Sequence, residues 1–390
     1  MLSPNALRIL DTLGVYERVC NKGYHFETIA FKDDKHETTG LYYFGNQELY
    51  GYKALRIYRQ VLISELLLMI NERHIPIEFD KKFSHIISES EEGVSFAFAD
   101  GIIKHTLLLV GADGIHSKVR RYISPTAAPI YSGQLAMTYT LQRSHLRFPP
   151  AMTYHLPAAI SSPKNGMFVL APQSVDGEEL LAGTQRTYPE TDRAGWDKLY
   201  TSKDELLRLI QTNMENWPDM VQSALEHIPL NTLTIWPFYT LPHLPKWSSP
   251  SAKVLIIGDA AHAIPPTAGQ GVNQAFEDIY MLSLLLSKQP SSNIPMRETL
   301  KFWQEKRQER VDGVLELTRK MNNKRLPKEE REKLGEGQVW DEKKGGGGGE
   351  EMRWLYLPGI EEVVEGWGAL NWDKKRCQIG LLARVTRESA

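Results

Sequence analysis

Four consecutive apolar residues, Val254 to Ile257, run directly into Gly258 and Asp259, and a Pro- and Gly-rich loop then leads into a long apolar-patterned segment ending near Ser287. This order of strand, turn and helix constrains the fold more than any other stretch. An uninterrupted apolar run fits a strand of a parallel sheet covered on both faces, because neither face offers a polar side chain to water. The chain is therefore expected to be α/β. Gly258 permits a sharp turn, and Asp259 stands at the carboxyl end of the strand, where open α/β sheets bind ligands. Pro265 and Pro266 stiffen the loop, while Gly269 and Gly271 keep its second half free of side chains, so a flat ring can lie against backbone amides. A helix is expected from about Val272 and Asn273. Its free N–H groups and positive dipole end favour negative charge in front of them.

The continuous string GDAAHAIPPTAGQGVNQAFED resembles the second flavin-contacting motif of the FAD-dependent aromatic hydroxylases, the single-component flavoprotein monooxygenases that include salicylate and p-hydroxybenzoate hydroxylases. The resemblance implies that Asp259 binds the ribitol or ribose region of FAD. It also implies that Pro266, Gly269, Gly271, Val272 and Asn273 lie against the pyrimidine edge of the isoalloxazine.

Two further segments carry the same resemblance. TLLLVGADGIHSKVRRY (106–122) is an apolar run ending in a Gly-containing turn, with Ser117 placed to cap a short basic helix, and it is similar to the family's Asp-Gly motif. That places Asp113 and Gly114 beside the FAD pyrophosphate and the groove through which the nicotinamide donor approaches. Lys118, Arg120 and Arg121 admit two readings, one steering the phosphates of NAD(P)H and the other a solvated helix face. Arg59 belongs to YRQVLISELLLMI, in which Val61, Leu62, Leu66 and Met69 suit an amphipathic helix. The family carries an arginine at this helix start that reaches the FAD phosphates, and a guanidinium fork suits phosphate better than an ammonium.

The resemblance implies an FAD-binding Rossmann-like domain of the glutathione-reductase type, interrupted by an antiparallel-sheet substrate domain. The expected parts are residues 1–126 and 251–325 for the FAD-binding domain, 127–250 for the substrate domain, and 326–390 for a charged, Gly-rich connector with a C-terminal element. Strands are expected at 75–79, 94–99, 106–110, 135–141, 151–156, 166–171 and 179–185, and helices at 59–71, 203–216 and 296–324. In the family the fold opens with a strand, a Gly-x-Gly-x-x-Gly turn and a helix that hold the ADP half of FAD. This chain contains no such turn, and its opening LSPNALRILDTLGVYERV resembles the helix that follows the second strand. A first βαβ unit of ~30 residues is thus expected to be missing, with exposed apolar edges and weakened FAD binding as consequences.

A net charge of −2 offers no general attraction to nucleic acid or anionic lipid. The two cysteines, Cys20 and Cys377, have no metal-ligand spacing and make no disulfide framework, so a reducing, cytoplasmic location is the default. No apolar run approaches the ~20 residues needed to span a bilayer.

No Ser-His-Asp or Cys-His spacing is recognisable, and His262 reads as a packing or hydrogen-bonding residue. The chemistry implied by the resemblance is FAD reduction by NAD(P)H and insertion of one atom of dioxygen into an aromatic or polyene small molecule. Many fungal members, which the sequence resembles, serve secondary metabolism. Tyr139, Arg143, Tyr154, His155, Arg186 and Tyr239 are candidates to face the flavin from the substrate sheet, although a Tyr or Arg on a strand more usually serves cross-strand packing or a solvated face. Two alternatives stay open: a non-catalytic binding protein of the same shape, and a flavin oxidoreductase without oxygen insertion.

Overall fold

A computed structural model describes residues 1–150, 154–291, 294–341 and 348–369. In chain order the strands are β1 (Tyr24–Phe26), β2 (Thr28–Lys32), β3 (Thr38–Tyr43), β4 (Ala54–Arg56), β5 (Phe83–Ser90), β6 (Gly93–Phe98), β7 (Ile103–Thr106), β8 (Leu109–Gly111), β9 (Ile130–Gln142), β10 (Ala158–Ser162), β11 (Gly166–Pro172), β12 (Glu179–Thr187), β13 (Thr234–Thr240) and β14 (Val254–Ile256). The principal helices are α1 (Pro4–Thr12), α2 (Tyr16–Val19), α3 (Gln47–Tyr50), α4 (Arg59–Glu72), α5 (Lys118–Ile123), α6 (Arg193–Thr201), α7 (Lys203–Gln211), α8 (Asp219–Glu226), α9 (Gly271–Lys288) and α10 (Met296–Lys324).

The apolar run at 254–257 becomes β14, buried along its whole length and paired in parallel with β8, Leu255 opposite Val110. Covering both faces of so short a strand requires helices, and the chain supplies them immediately. α9 brings Met281, Leu282 and Leu285 onto β14, and α10 adds Trp303 and Val311 to the same core. Trp303 meets Trp247 edge to face at 5.4 Å, and its indole N–H donates to the Asp278 carbonyl at 3.1 Å. Around the first helix, Leu7 and Leu10 of α1 pack with Leu62 and Met69 of α4.

The second body is a seven-stranded sheet in the order β13-β9-β12-β11-β10-β2-β3. Alternation on β9 sends Leu135, Met137, Tyr139 and Leu141 to one face, where α7 and α8 cover them with Leu206, Ile210, Met220 and Ala224. The opposite face supplies Phe31, Ala159 and Met167, which pack against Val314 and Leu317 of α10 and against Ile264 and Ala268 of the Pro/Gly loop. This face presses the loop between sheet and helix. Two strands, β2 and β3, come from before residue 45, and β10 pairs with β2 in parallel, Ala158 opposite Ala30. The sheet is thus mixed, and it draws strands from outside the 127–250 segment.

Several local expectations are corrected. No strand forms at 75–79, where Ile75, Ile77 and Phe79 are exposed; Pro76 removes a ladder donor and no strand lies alongside. The expected strand at 106–110 is broken between β7 and β8. Residues 151–153 lie outside the described residues, and Tyr154 to Leu156 are not a strand; the ladder begins at Ala158, after Pro157, which has no N–H to give. The expected helix at 203–216 stops at Gln211, and left-handed Asn213 starts a separate 3-10 turn. Ile63 and Leu68 on α4, and Leu107 and Val110 around β8, are exposed apolar residues.

Candidate functional site

The site is built around the turn that follows β14. Gly258 takes φ +56°, and its N–H donates to the Asp278 carboxylate at 2.8 Å. The tight turn leaves Asp259 exposed. Surrounding protein mass lifts the pKa of its carboxyl above the ordinary value, Asp278 adds to the rise, and the positive charges of His262 and Arg59 oppose it. Arg59, exposed at the first position of α4, therefore stands within electrostatic reach of Asp259.

Beyond the turn, Pro266 opens a short 3-10 turn and Gly269 adopts φ +65°. A Cβ on Gly269 would lie 2.7 Å from the Phe44 ring, so the loop follows a path that only glycine permits. A Cβ on Gly271, the first residue of α9, would meet nothing nearer than the Ile264 carbonyl at 4.0 Å. Here the backbone is open to a flat partner. The first-turn N–H groups of α9 have no intrahelical acceptors, and the buried Gln270 Oε1 has no hydrogen-bond partner. A polar planar ring with an anionic edge for the helix N–H groups and an N–H for Gln270 Oε1 fits this set. Val272 is exposed beside it, whereas the Asn273 side chain turns inward, accepting from the Ser3 N–H at 3.2 Å and donating to the Gly269 carbonyl at 2.7 Å.

The Asp-Gly loop lies at the end of the neighbouring strand, β8. Asp113 caps α5, accepting from the N–H groups of Lys118 at 2.7 Å and Val119 at 3.2 Å. Gly114 takes φ +75° with open space around it. Lys118 and Arg121 are exposed, but Arg120 fits neither reading of the basic triplet. It is 1% exposed and donates to the carbonyls of Ala260 at 3.1 Å and Ile115. Arg120 thereby ties the Asp-Gly loop to the Gly-Asp turn. The available sequence signal was its position three residues after the cap Ser117, itself fully buried, which puts both on one helix face.

The candidates on the sheet are scattered rather than convergent. Tyr139 faces the helix-covered core and donates its hydroxyl to the Ala224 carbonyl at 2.7 Å. Arg143 stacks on Phe148 at 5.1 Å, Tyr154 is buried 3.1 Å from His36 Nδ1, and His155 is exposed. Arg186 donates to the Thr212 carbonyl. Tyr239 alone among the six neighbours a flavin motif: it accepts from Trp196 Nε1 at 3.0 Å and lies edge-on to His116 of the Asp-Gly loop at 6.4 Å.

Two arginines outside the sequence candidates flank the loop. Arg56 on β4 donates to Gln173 Oε1 at 3.2 Å, and Arg325, just after α10, reaches the Thr267 carbonyl at 3.4 Å. Neither has a carboxylate partner among the described residues, both leave Nε unpaired, and burial pushes both pKa values down to about 10.

Comparison with known proteins bears on the family and the fold. The family model described as an FAD binding domain matches residues 1–318. The 6-methylsalicylate 1-monooxygenase atA of Aspergillus terreus is 27% identical over 271 residues, covering 67% of this chain and 58% of that protein, so the chain spans less than two thirds of that relative. Salicylate hydroxylase of Pseudomonas putida is 26% identical over 338 residues, covering 80% of this chain and 73% of that protein. Among solved structures, a salicylate hydroxylase substrate complex superposes with a TM-score of 0.71 at 18% identity, covering 93% of this chain and 89% of the other. Klebsiella pneumoniae HpxO complexed with FAD and uric acid gives 0.67 at 19% identity, over 86% of this chain and 84% of the other. At such identities the structures speak for the fold, and the match over residues 1–318 shows the family: the chain belongs to the family whose model is described as an FAD binding domain.

Proposed function

We propose that the protein is an FAD-dependent monooxygenase that uses NAD(P)H and dioxygen to hydroxylate or epoxidise an aromatic or polyene small molecule, in the cytoplasm and in secondary metabolism. The observation that carries this reading is the stretch from Gly258 to Asn273, where an exposed acidic side chain, a glycine-opened loop and the open start of α9 follow one another along the chain. FAD supplies the redox chemistry when bound. Asp259 accepts hydrogen bonds from the cofactor's sugar-like hydroxyls, and Arg59 meets phosphate negative charge. The N-terminal amides of α9, beginning at Gly271, stabilise negative charge on the ring edge. Asp113 holds its loop by capping α5 and keeps Gly114 clear for the cofactor. Tyr239 is the sheet residue best placed to bound the substrate side, through its contact with His116. The cytoplasmic assignment rests on the cysteine pattern, with Cys20 a free thiol. No helix among the described residues is long and apolar enough to cross a membrane.

Titration with FAD tests the reading. Bound oxidised flavin is expected to absorb near ~450 nm, and a protein that stays colourless after reconstitution overturns the proposal. In a flavin-loaded sample, NAD(P)H and dioxygen consumption that rises with an aromatic substrate distinguishes a hydroxylase from a simple reductase. Asp259→Ala should weaken FAD binding about tenfold, the worth of a hydrogen bond to a charged group, while unfolding free energy changes little at so exposed a side chain.

A further inference from the structure

The Gly-Asp turn is held from behind by a buried network of charges. Asp278 of α9, fully buried, uses one carboxylate oxygen for the Gly258 N–H at 2.8 Å and for His262 Nε2 at 2.6 Å. Its other oxygen accepts from Arg307 Nε of α10 at 2.8 Å. Arg307, 1% exposed, also pairs with Glu277 and donates to Gln274 Oε1 at 2.7 Å. Glu277 in turn takes Arg310 at 2.7 Å and Asn5 Nδ2 at 2.6 Å. The two acids and two arginines balance in charge, and His262 beside Asp278 further favours its ionised form.

Ordinary scaffold demands do not account for this arrangement. A turn needing only an acceptor for the Gly258 N–H would be served by a neutral carbonyl or hydroxyl. A buried carboxylate with a dedicated guanidinium instead pins two points of the turn, the N–H before Asp259 and the ring three residues after it, to the rigid α9–α10 pair. We propose that Asp278 is a positioning residue for the cofactor site: it fixes the backbone on both sides of Asp259, and Arg307 holds it in place. This rests on the flavin reading of the loop. A catalytic label does not apply, because Asp278 lies behind the turn rather than in the cleft.

Asp278→Asn is the direct test, because an amide offers a single acceptor atom. If that atom serves Gly258 and His262, the amide NH2 group faces the Arg307 guanidinium; if it serves Arg307, the turn loses its anchor. Arg310→Met is the matched control, since it also strips a cation from the buried acids but leaves the Asp278 contacts to Gly258 and His262 in place. FAD affinity and the visible circular dichroism of bound FAD are measured beside the melting temperature. Asp278→Asn should bind FAD about tenfold or more weakly and alter the visible band, whereas Arg310→Met should melt earlier with FAD affinity within about twofold of the parent. Should Asp278→Asn not fold, Arg307→Lys carries the same test, because one ammonium cannot reproduce the fork that reaches Asp278, Glu277 and Gln274 together. Losses of FAD affinity that simply track melting temperature across these variants overturn the positioning role. A parent protein that binds FAD with Asp278→Asn unchanged overturns this proposal alone, and a parent that binds no FAD overturns the flavin reading and this proposal together.

Discussion

Arg307→Met should lower the unfolding free energy by about 3–5 kcal/mol, the range found when one partner of a buried ion pair is removed and the other is left uncompensated. The side chain is 1% exposed and joins Glu277, Asp278 and Gln274, so nothing from solvent can replace it. Urea unfolding at pH 7 measures the loss, and a change below about 1 kcal/mol would show that water enters the site and relieves the acids. The pH dependence carries its own sign. Although burial alone would raise both carboxyls, His262 and Arg307 hold the pKa of Asp278, and Arg307 and Arg310 that of Glu277, below their ordinary values. Groups depressed in the folded state stabilise it above their unfolded pKa of about 4, and that contribution disappears as pH falls through the folded values. The parent protein should hold a flat stability from about pH 6 to 8 and lose it below about pH 4. The substituted protein should show a shallower acid limb, because its acids are no longer held ionised by the same cation.

Gly269→Val should be nearly as damaging and more selective. At φ +65° a β-branched residue pays left-handed strain of about 1–2 kcal/mol, and overpacking against the Phe44 ring adds about 1–3 kcal/mol. Those two terms act where the loop meets the sheet, and the Gly269 carbonyl is also the acceptor for Asn273 Nδ2 at the start of α9. Relief of the clash therefore moves the helix start that is to face the flavin. The expected result is a stability loss of about 2–5 kcal/mol together with FAD binding weakened beyond tenfold. Gly101→Val separates the two effects. It places the same residue at φ +84° with nothing nearby, so it carries strain without the cleft and should leave FAD affinity alone.

Much of the candidate site was legible because its parts are contiguous. Val254 to Asn273 is one string in which strand, turn, loop and helix start follow without a break, and several residue types there answer a local backbone demand: Gly258 and Gly269 at positive φ and Pro266 at a 3-10 start. Local demands of this kind are written in local sequence. The substrate sheet was less legible, because β2 joins β10 across more than a hundred intervening residues and nothing in Thr28–Lys32 announces that partner. Charges were hardest of all. Arg120, Arg121 and Lys118 look alike in the sequence, yet one is sealed against the Ala260 carbonyl and two face water.

The sequence by itself determined the α/β class, the cofactor type through family resemblance, and the local backbone of the Gly-Asp turn and the loop after it. Only the tertiary structure decided that Tyr139 belongs to the core, that β2 and β3 extend the sheet over the loop, and that Asp278, Arg307 and Arg120 hold the turn from behind. The physical reason is common to all three. A backbone conformation is selected by the residue that adopts it, whereas burial and pairing are selected by neighbours that the chain brings close only after it has folded.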